Sequence, residues 1–144
     1  MHTFFIYRKH NSQGDVGNST IVRYSAAEIA DSGTGKITLA PADRIDSQNI
    51  TTTSFDLRGN PVEQEMVKYV YDVKTAGFIF SQAQRIKNDK YSLHDRVANS
   101  VVRNYADAAF TTFVDAQVIS YEYNNSGDVT KQIVKKYSDE AAKK

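Results

Sequence analysis

The sequence predicts an α+β fold: a mainly antiparallel sheet with N-terminal and C-terminal hairpins and two central helices. Three observations lead there. Leucine occurs 3 times, against 13 valines, 10 isoleucines and 11 threonines. Branching at Cβ stiffens a side chain and suits the pleated surface of a strand. The second observation is the boundary Asn60-Pro61-Val62-Glu63. It offers an N-cap acceptor, a proline at the first helical position and an acid at the third. The third is the order of elements, with strands and helices grouped rather than alternating as in βαβ units.

Taken in order, residues 2–8 (HTFFIYR) are aromatic and β-branched and read as a strand. Gly14, Asp15, Gly17 and Asn18 mark a loop, and residues 20–25 read as the returning strand. Residues 26–31 are ambiguous, 32–35 (SGTG) a turn, 36–40 a short strand and 41–48 a polar loop. The run 49–57 is strand-forming and ends at Arg58-Gly59. From Asn60, the spacing of Val62, Met66, Tyr69/Val70, Val73 and Ala76 predicts a helix over about 61–76, extending in one reading to 86. Ser92 and Asp95 cap a second helix over 92–108, with Leu93, Val97, Val101 and Tyr105 as its apolar face. The period then changes to two, which predicts a strand over 110–123, a turn at Asn124–Asp128 and a strand over 129–137. A C-terminal helix from Asp128 is the rival reading. Residues 138–144 (SDEAAKK) read as a frayed or helical tail. No internal repeat is visible.

At 144 residues and 16.1 kDa, with 40% hydrophobic and 24% charged residues, the chain fits one globular domain. The absence of cysteine removes disulfides, thiol nucleophiles and iron–sulfur clusters together. A net charge of +1 gives no global attraction to nucleic acid or anionic membrane. No stretch approaches the roughly 18 apolar residues of a membrane span, and the first residues lack the pattern of a secretory signal. These features place the chain in the cytoplasm, in an assembled particle, or in a mature exported form.

Candidate chemistry is sparse. The three histidines, His2, His10 and His94, form no pair at metal-ligand spacing, and His94-Asp95 reads as a surface histidine beside a capping acid. Ser32-Gly33-Thr34-Gly35-Lys36 fails as a phosphate loop because Ala30 stands where that motif needs glycine. No catalytic constellation, metal site or cofactor site is expected. Arg85, Lys87 and Lys90, with Tyr91 available to stack, form a candidate nucleic-acid contact. The C-terminal arms differ in charge. Residues 104–128 hold four acids and no base, and 129–144 hold five lysines. Tyr121, Tyr123, Ile133 and Tyr137 are the expected subunit contacts.

Residues 113–137 (FVDAQVISYEYNNSGDVTKQIVKKY) are faintly similar to the long closing hairpins of phage tail-tube subunits and of the tube protein of contractile secretion systems. No residue role is carried over from that likeness. The function expected from the sequence is non-enzymatic: a self-associating structural subunit of a phage particle or tail-like machine. The runner-up is an accessory domain that binds protein or nucleic acid through the basic 85–103 region.

Overall fold

The computed structural model describes residues 3–31 and 33–143, the side chains of 3–5 and 29–31 aside. His2, Ser32 and Lys144 lie outside the described residues. Ten strands form: β1 (Thr3–His10), β2 (Val16–Tyr24), β3 (Glu28–Asp31), β4 (Lys36–Thr38), β5 (Arg44–Phe55), β6 (Pro61–Asp72), β7 (Gly77–Tyr91), β8 (Val97–Tyr105), β9 (Phe113–Tyr123) and β10 (Val129–Tyr137). Eight of them hydrogen-bond in the order β1-β2-β5-β6-β7-β8-β9-β10, and β3-β4 form a small separate hairpin. Among the described residues the sole helical element is the 3-10 turn Pro41–Asp43.

The fold is therefore all-β, and the α+β expectation is corrected. The predicted helix at 61–76 is strand β6 followed by a turn, and its extension to 86 lies in β7. The predicted helix at 92–108 is a turn, strand β8 and the start of a loop. Asn60 does not cap a helix. It is the last residue of a hairpin turn, and its side chain donates to Asp56 at 2.9 Å and to Asp95 at 2.8 Å. Pro61 opens β6, a position where its missing N–H costs no ladder bond. Its carbonyl accepts from Asn88 Nδ2 at 2.9 Å.

The recurrent local device is a five-residue turn, used at Asn11–Asp15, Asp56–Asn60, Ser92–Arg96 and Asn124–Asp128. In each, the first amide donates to the fifth carbonyl at 2.8–3.0 Å and the fourth amide returns to the first carbonyl at 3.1 Å. The first side chain accepts from the fifth amide. The fourth residue has positive φ: Gly14, Gly59, Asp95 and Gly127. This is a type I turn closed by a left-handed residue, a common hairpin connection.

Two of these glycines make a matched test. A Cβ at Gly14 would meet nothing within 4 Å, whereas one at Gly127 would lie 2.2 Å from the Arg96 guanidinium. Gly14→Ala should cost about 1 kcal/mol from backbone strain alone. Gly127→Ala should cost more, because it also displaces Arg96. Equal shifts in paired urea titrations would contradict this packing.

The described residues form two compact units, one within residues 1–50 and 67–81 and the other within residues 51–66 and 82–144. In the first, β1 and β2 pair antiparallel from Thr3↔Tyr24 to Lys9↔Asn18. Tyr69–Phe80 and Tyr71–Phe78 pack edge to face, with centroids 6.3 and 5.3 Å apart. Arg44 lies over both Tyr71 and Phe78. Asp46 is buried, ion-paired to Arg23, and has Lys68 Nζ at 3.6 Å.

The second unit has two chemically distinct faces. The pairings Arg85↔Arg103, Arg103↔Ala116 and Ala116↔Tyr137 place these residues on one face. Glu65 joins it through an ion pair to Arg85 at 3.0 Å, and Glu63 has Lys87 at 3.9 Å. At one end Tyr105, 4% exposed, sits against Phe110 and Phe113 and under the Arg85 guanidinium. Its hydroxyl donates to Glu140 at 2.6 Å, which ties the segment after β10 to this cluster at that residue. Beside Tyr105, Ala83 and Ala116 are fully buried.

Candidate functional site: the uncharged face

On the opposite face, the same registers bring together Gln84, Ile86 and Asn88 from β7 with Asn104, Val102 and Ser100 from β8. These lie beside Asp115, Gln117 and Ile119 from β9. Gln132, Val134 and Lys136 of β10 then pair with Tyr121, Ile119 and Gln117, so the face is neutral through β6, β7 and β8 and carries Asp115 and Lys136 at one end of β9 and β10. In β6, Glu63 and Glu65 mark the charged face, so Val62, Gln64 and Met66 point away from it, by the period-two rule. From 62–66, 82–88 and 98–104, this second face receives no charged side chain.

Its polar groups bond to one another. Gln64 donates to Thr52 at 3.1 Å and Gln84 to Asn104 at 2.8 Å, while Asn104 donates in turn to Asp115. Asn88 and Ser100 are buried. Tyr121 and Tyr123 stack with centroids 6.3 Å apart, and the Tyr123 hydroxyl donates to the Val97 carbonyl at 2.6 Å. Arg96 lies over the Tyr123 ring at 5.8 Å. A groove of about 530 Å³ runs along this end, lined by His94, Arg96, Tyr121, Tyr123 and Asn124 among others.

The predicted contact residues divide between the faces. Tyr121 and Tyr123 lie on the uncharged face, whereas Ile133 and Tyr137 pair with Ser120 and Ala116 on the charged one. Adjacent residues Ile133 and Val134 are 41% and 47% exposed, one on each face. The candidate nucleic-acid residues are brought near one another but are engaged. Arg85 is paired with Glu65, which raises its pKa, and Lys87 is beside Glu63. Tyr91 donates to the Pro61 carbonyl at 2.5 Å, and burial raises its pKa. Lys90 is exposed next to a bulge. A second groove, about 310 Å³, lies among Glu63, Glu65, Arg85, Lys87 and Arg103.

Among the described residues no catalytic pairing forms around His94. The Asp95 carboxylate accepts from Arg58 at 2.9 Å and from Asn60 at 2.8 Å instead. Among the described residues no three of His, Asp and Glu cluster to hold a metal, and no helix is long and apolar enough to cross a membrane.

Asp107 shapes the loop that carries Phe110 to Tyr105. Its carboxylate accepts from the amides of Ala109, Thr111 and Thr112 at 2.6–3.2 Å. These bonds, led by Thr111, hold its pKa at about 2, below the ordinary 3.8. A depressed carboxylate stabilises the fold above its unfolded pKa, and that contribution is lost as pH falls through the folded value. The Asp107 turn should hold above about pH 4 and loosen toward pH 2. Carboxyl NMR should place the Asp107 midpoint near 2; a midpoint at the ordinary value would contradict these bonds.

No family model matches the chain, and no curated protein matches it. The solved structure of a protein of unknown function from Bacteroides fragilis is similar, with a TM-score of 0.39 and 9% identity over 99% of this chain and 96% of that one. A likeness this weak carries neither fold nor function. The phage or virion assignment is withdrawn. None of these findings supports it, and the alternation around an Asn/Gly turn that suggested it recurs at Asn11–Asp15 and Asp56–Asn60 as a general hairpin device of this chain.

Sequence reasoning missed the uncharged face as a unit. Its signal was present: every second residue in 82–88 and 98–104 is neutral, while Arg85, Lys87 and Arg103 fall at the alternate positions.

Proposed function

We propose that the protein is a non-enzymatic structural component that self-associates through the uncharged face of its second unit. The observation that supports this reading is the segregation of charge. Solvent-facing strands ordinarily alternate apolar and charged residues, with the charges toward water. Here the charged face has that character, while its opposite carries Ile86, Val102, Ile119, Tyr121 and Val134 among amides, with Asp115 and Lys136 confined to one end. Interface cores are depleted in charge and enriched in tyrosine. Four strands at ~4.8 Å spacing and about eight residues at ~3.4 Å span roughly 19 by 27 Å, or about 500 Å² a side, near the lower bound of about 1,000 Å² in total for a specific interface.

Light scattering on purified protein should find a dimer or larger species. Ile119→Lys should shift it to monomer while leaving the far-UV spectrum unchanged. Lys135→Glu, on the other face, should leave association intact. A wild-type chain that stays monomeric at high concentration overturns the proposal.

A further inference from the structure

The charged face of the second unit sets two guanidinium groups side by side. Arg85 of β7 and Arg103 of β8 are direct cross-strand partners. The Cβ atoms of such a pair lie about 5 Å apart, and like charges placed there destabilise a sheet. Each arginine is nevertheless held in place. The Arg85 guanidinium lies over the Tyr105 and Phe110 rings, 5.4 and 4.9 Å from their centroids, and its Nε donates to Glu65 at 3.0 Å. Arg103 Nε donates to the Glu140 carbonyl at 2.7 Å. Neither bond uses a terminal nitrogen, so the forked end of each group is available to a ligand. Among the described residues no acid is paired with Arg103. Both arginines line the groove of about 310 Å³, with Lys87 beside them and Glu63 and Glu65 along its β6 side.

We propose that this groove binds a phosphate dianion, free or as the monoester of a small molecule, clamped between Arg85 and Arg103. The planar fork of arginine suits carboxylate and phosphate alike. A carboxylate has two oxygens and one charge, which a single fork satisfies. Two forks match a phosphate monoester, with its three terminal oxygens and a charge of about −2 near neutral pH. The anion also relieves the repulsion between the arginines, so ligand and site stabilise each other. Side chains already held by rings and a carbonyl lose little freedom on binding, which favours affinity. The acidic side of the groove limits what fits. Glu63 and Glu65 stand beside Lys87 and Arg85 at 3.9 and 3.0 Å, and a nucleic-acid backbone would carry further phosphates past them. A compact ligand with one phosphate reaches the arginines without meeting that repulsion. The site lies on the face opposite the one proposed for self-association and is independent of it.

The test is an NMR titration at constant ionic strength, following the arginine Nε–H signals. The probes are inorganic phosphate, phenyl phosphate, benzoate and a thymidine oligonucleotide. The Arg85 and Arg103 signals should shift and saturate with both phosphates, at about tenfold lower concentration than with benzoate. A monoester that binds more tightly than free phosphate assigns the site to an organic ligand, and the reverse order assigns it to inorganic phosphate.

Arg103→Lys keeps the charge and loses the fork. It should weaken phosphate binding about tenfold while the far-UV spectrum stays unchanged. Glu63→Gln should tighten binding, because it removes a like charge from the groove. Shifts that stay linear with phosphate overturn the proposal, as does benzoate binding equally well or an Arg103→Lys variant that binds like wild type. An oligonucleotide that binds more tightly than the monoester overturns it too, and makes this surface a nucleic-acid contact.

Discussion

Replacing Tyr105 with alanine is expected to destabilise the protein by about 3–5 kcal/mol, the range for emptying a buried aromatic site. The ring is 4% exposed and touches Phe110 and Phe113 with centroids 5.5 and 6.0 Å away. Arg85 covers it at 5.4 Å. The second unit has few other deeply buried apolar side chains, so little else can collapse into the space. Ala83 and Ala116 are too small to fill it. Tyr105→Phe keeps the ring and loses the bond to Glu140, and should cost about 1 kcal/mol. Urea unfolding of both variants separates packing from hydrogen bonding. A loss below about 1 kcal/mol for Tyr105→Ala would mean that the cluster does not anchor the 106–112 loop or the 138–143 segment.

The second large effect is expected at Asp46 in the first unit. Its side chain is 7% exposed, paired to Arg23 and 3.6 Å from Lys68. Arg23 Nε is already buried without a hydrogen-bond partner. Removing the acid leaves two cations facing each other, each about two-thirds buried. Breaking a fully buried pair costs 3–5 kcal/mol; with Arg23 34% exposed, water offsets part of this, and Asp46→Ala should cost about 2–3 kcal/mol. The double variant Arg23→Met, Asp46→Leu should recover much of the loss, because it removes both desolvated charges. If Asp46→Ala is neutral and the double variant is the worse of the two, the pair is solvated rather than structural.

How far the fold was legible depended on which periods a segment satisfied. Val97, Val101 and Tyr105 are four apart, a spacing that fits one face of a helix and equally one face of a strand. The structure places them on a strand, where Val101 and Tyr105 are buried. The β-branched content of 97–102 argued for that reading, but the apparent caps at Ser92 and Asp95 outweighed it. Those same residues build a hairpin turn. Ser92 Oγ accepts from the amides of His94 and Arg96, and Asp95 takes the positive φ that glycine supplies elsewhere. Asn60-Pro61 misled for a similar reason, since capping residues and turn residues are drawn from the same set.

The C-terminal hairpin was clearer. Its Asn124–Asp128 turn has a glycine at the left-handed position, and no competing helical spacing runs through β9. The site was half legible. Tyr121 and Tyr123 could be named from their alternation. That Ile133 and Tyr137 belong to the other face depends on the bulge between Val129 and Lys131, which no local pattern announces.

Because Ile133 and Val134 are neighbours in sequence and similar in exposure, they provide an internal control for the central claim. The measurement is paramagnetic relaxation of methyl groups by a neutral gadolinium chelate, at low and high protein concentration. At high concentration the Val134 and Ile119 methyls should be shielded, while Ile133 relaxes as strongly as in the dilute sample. Equal relaxation of Ile133 and Val134 at every concentration would contradict self-association through the uncharged face.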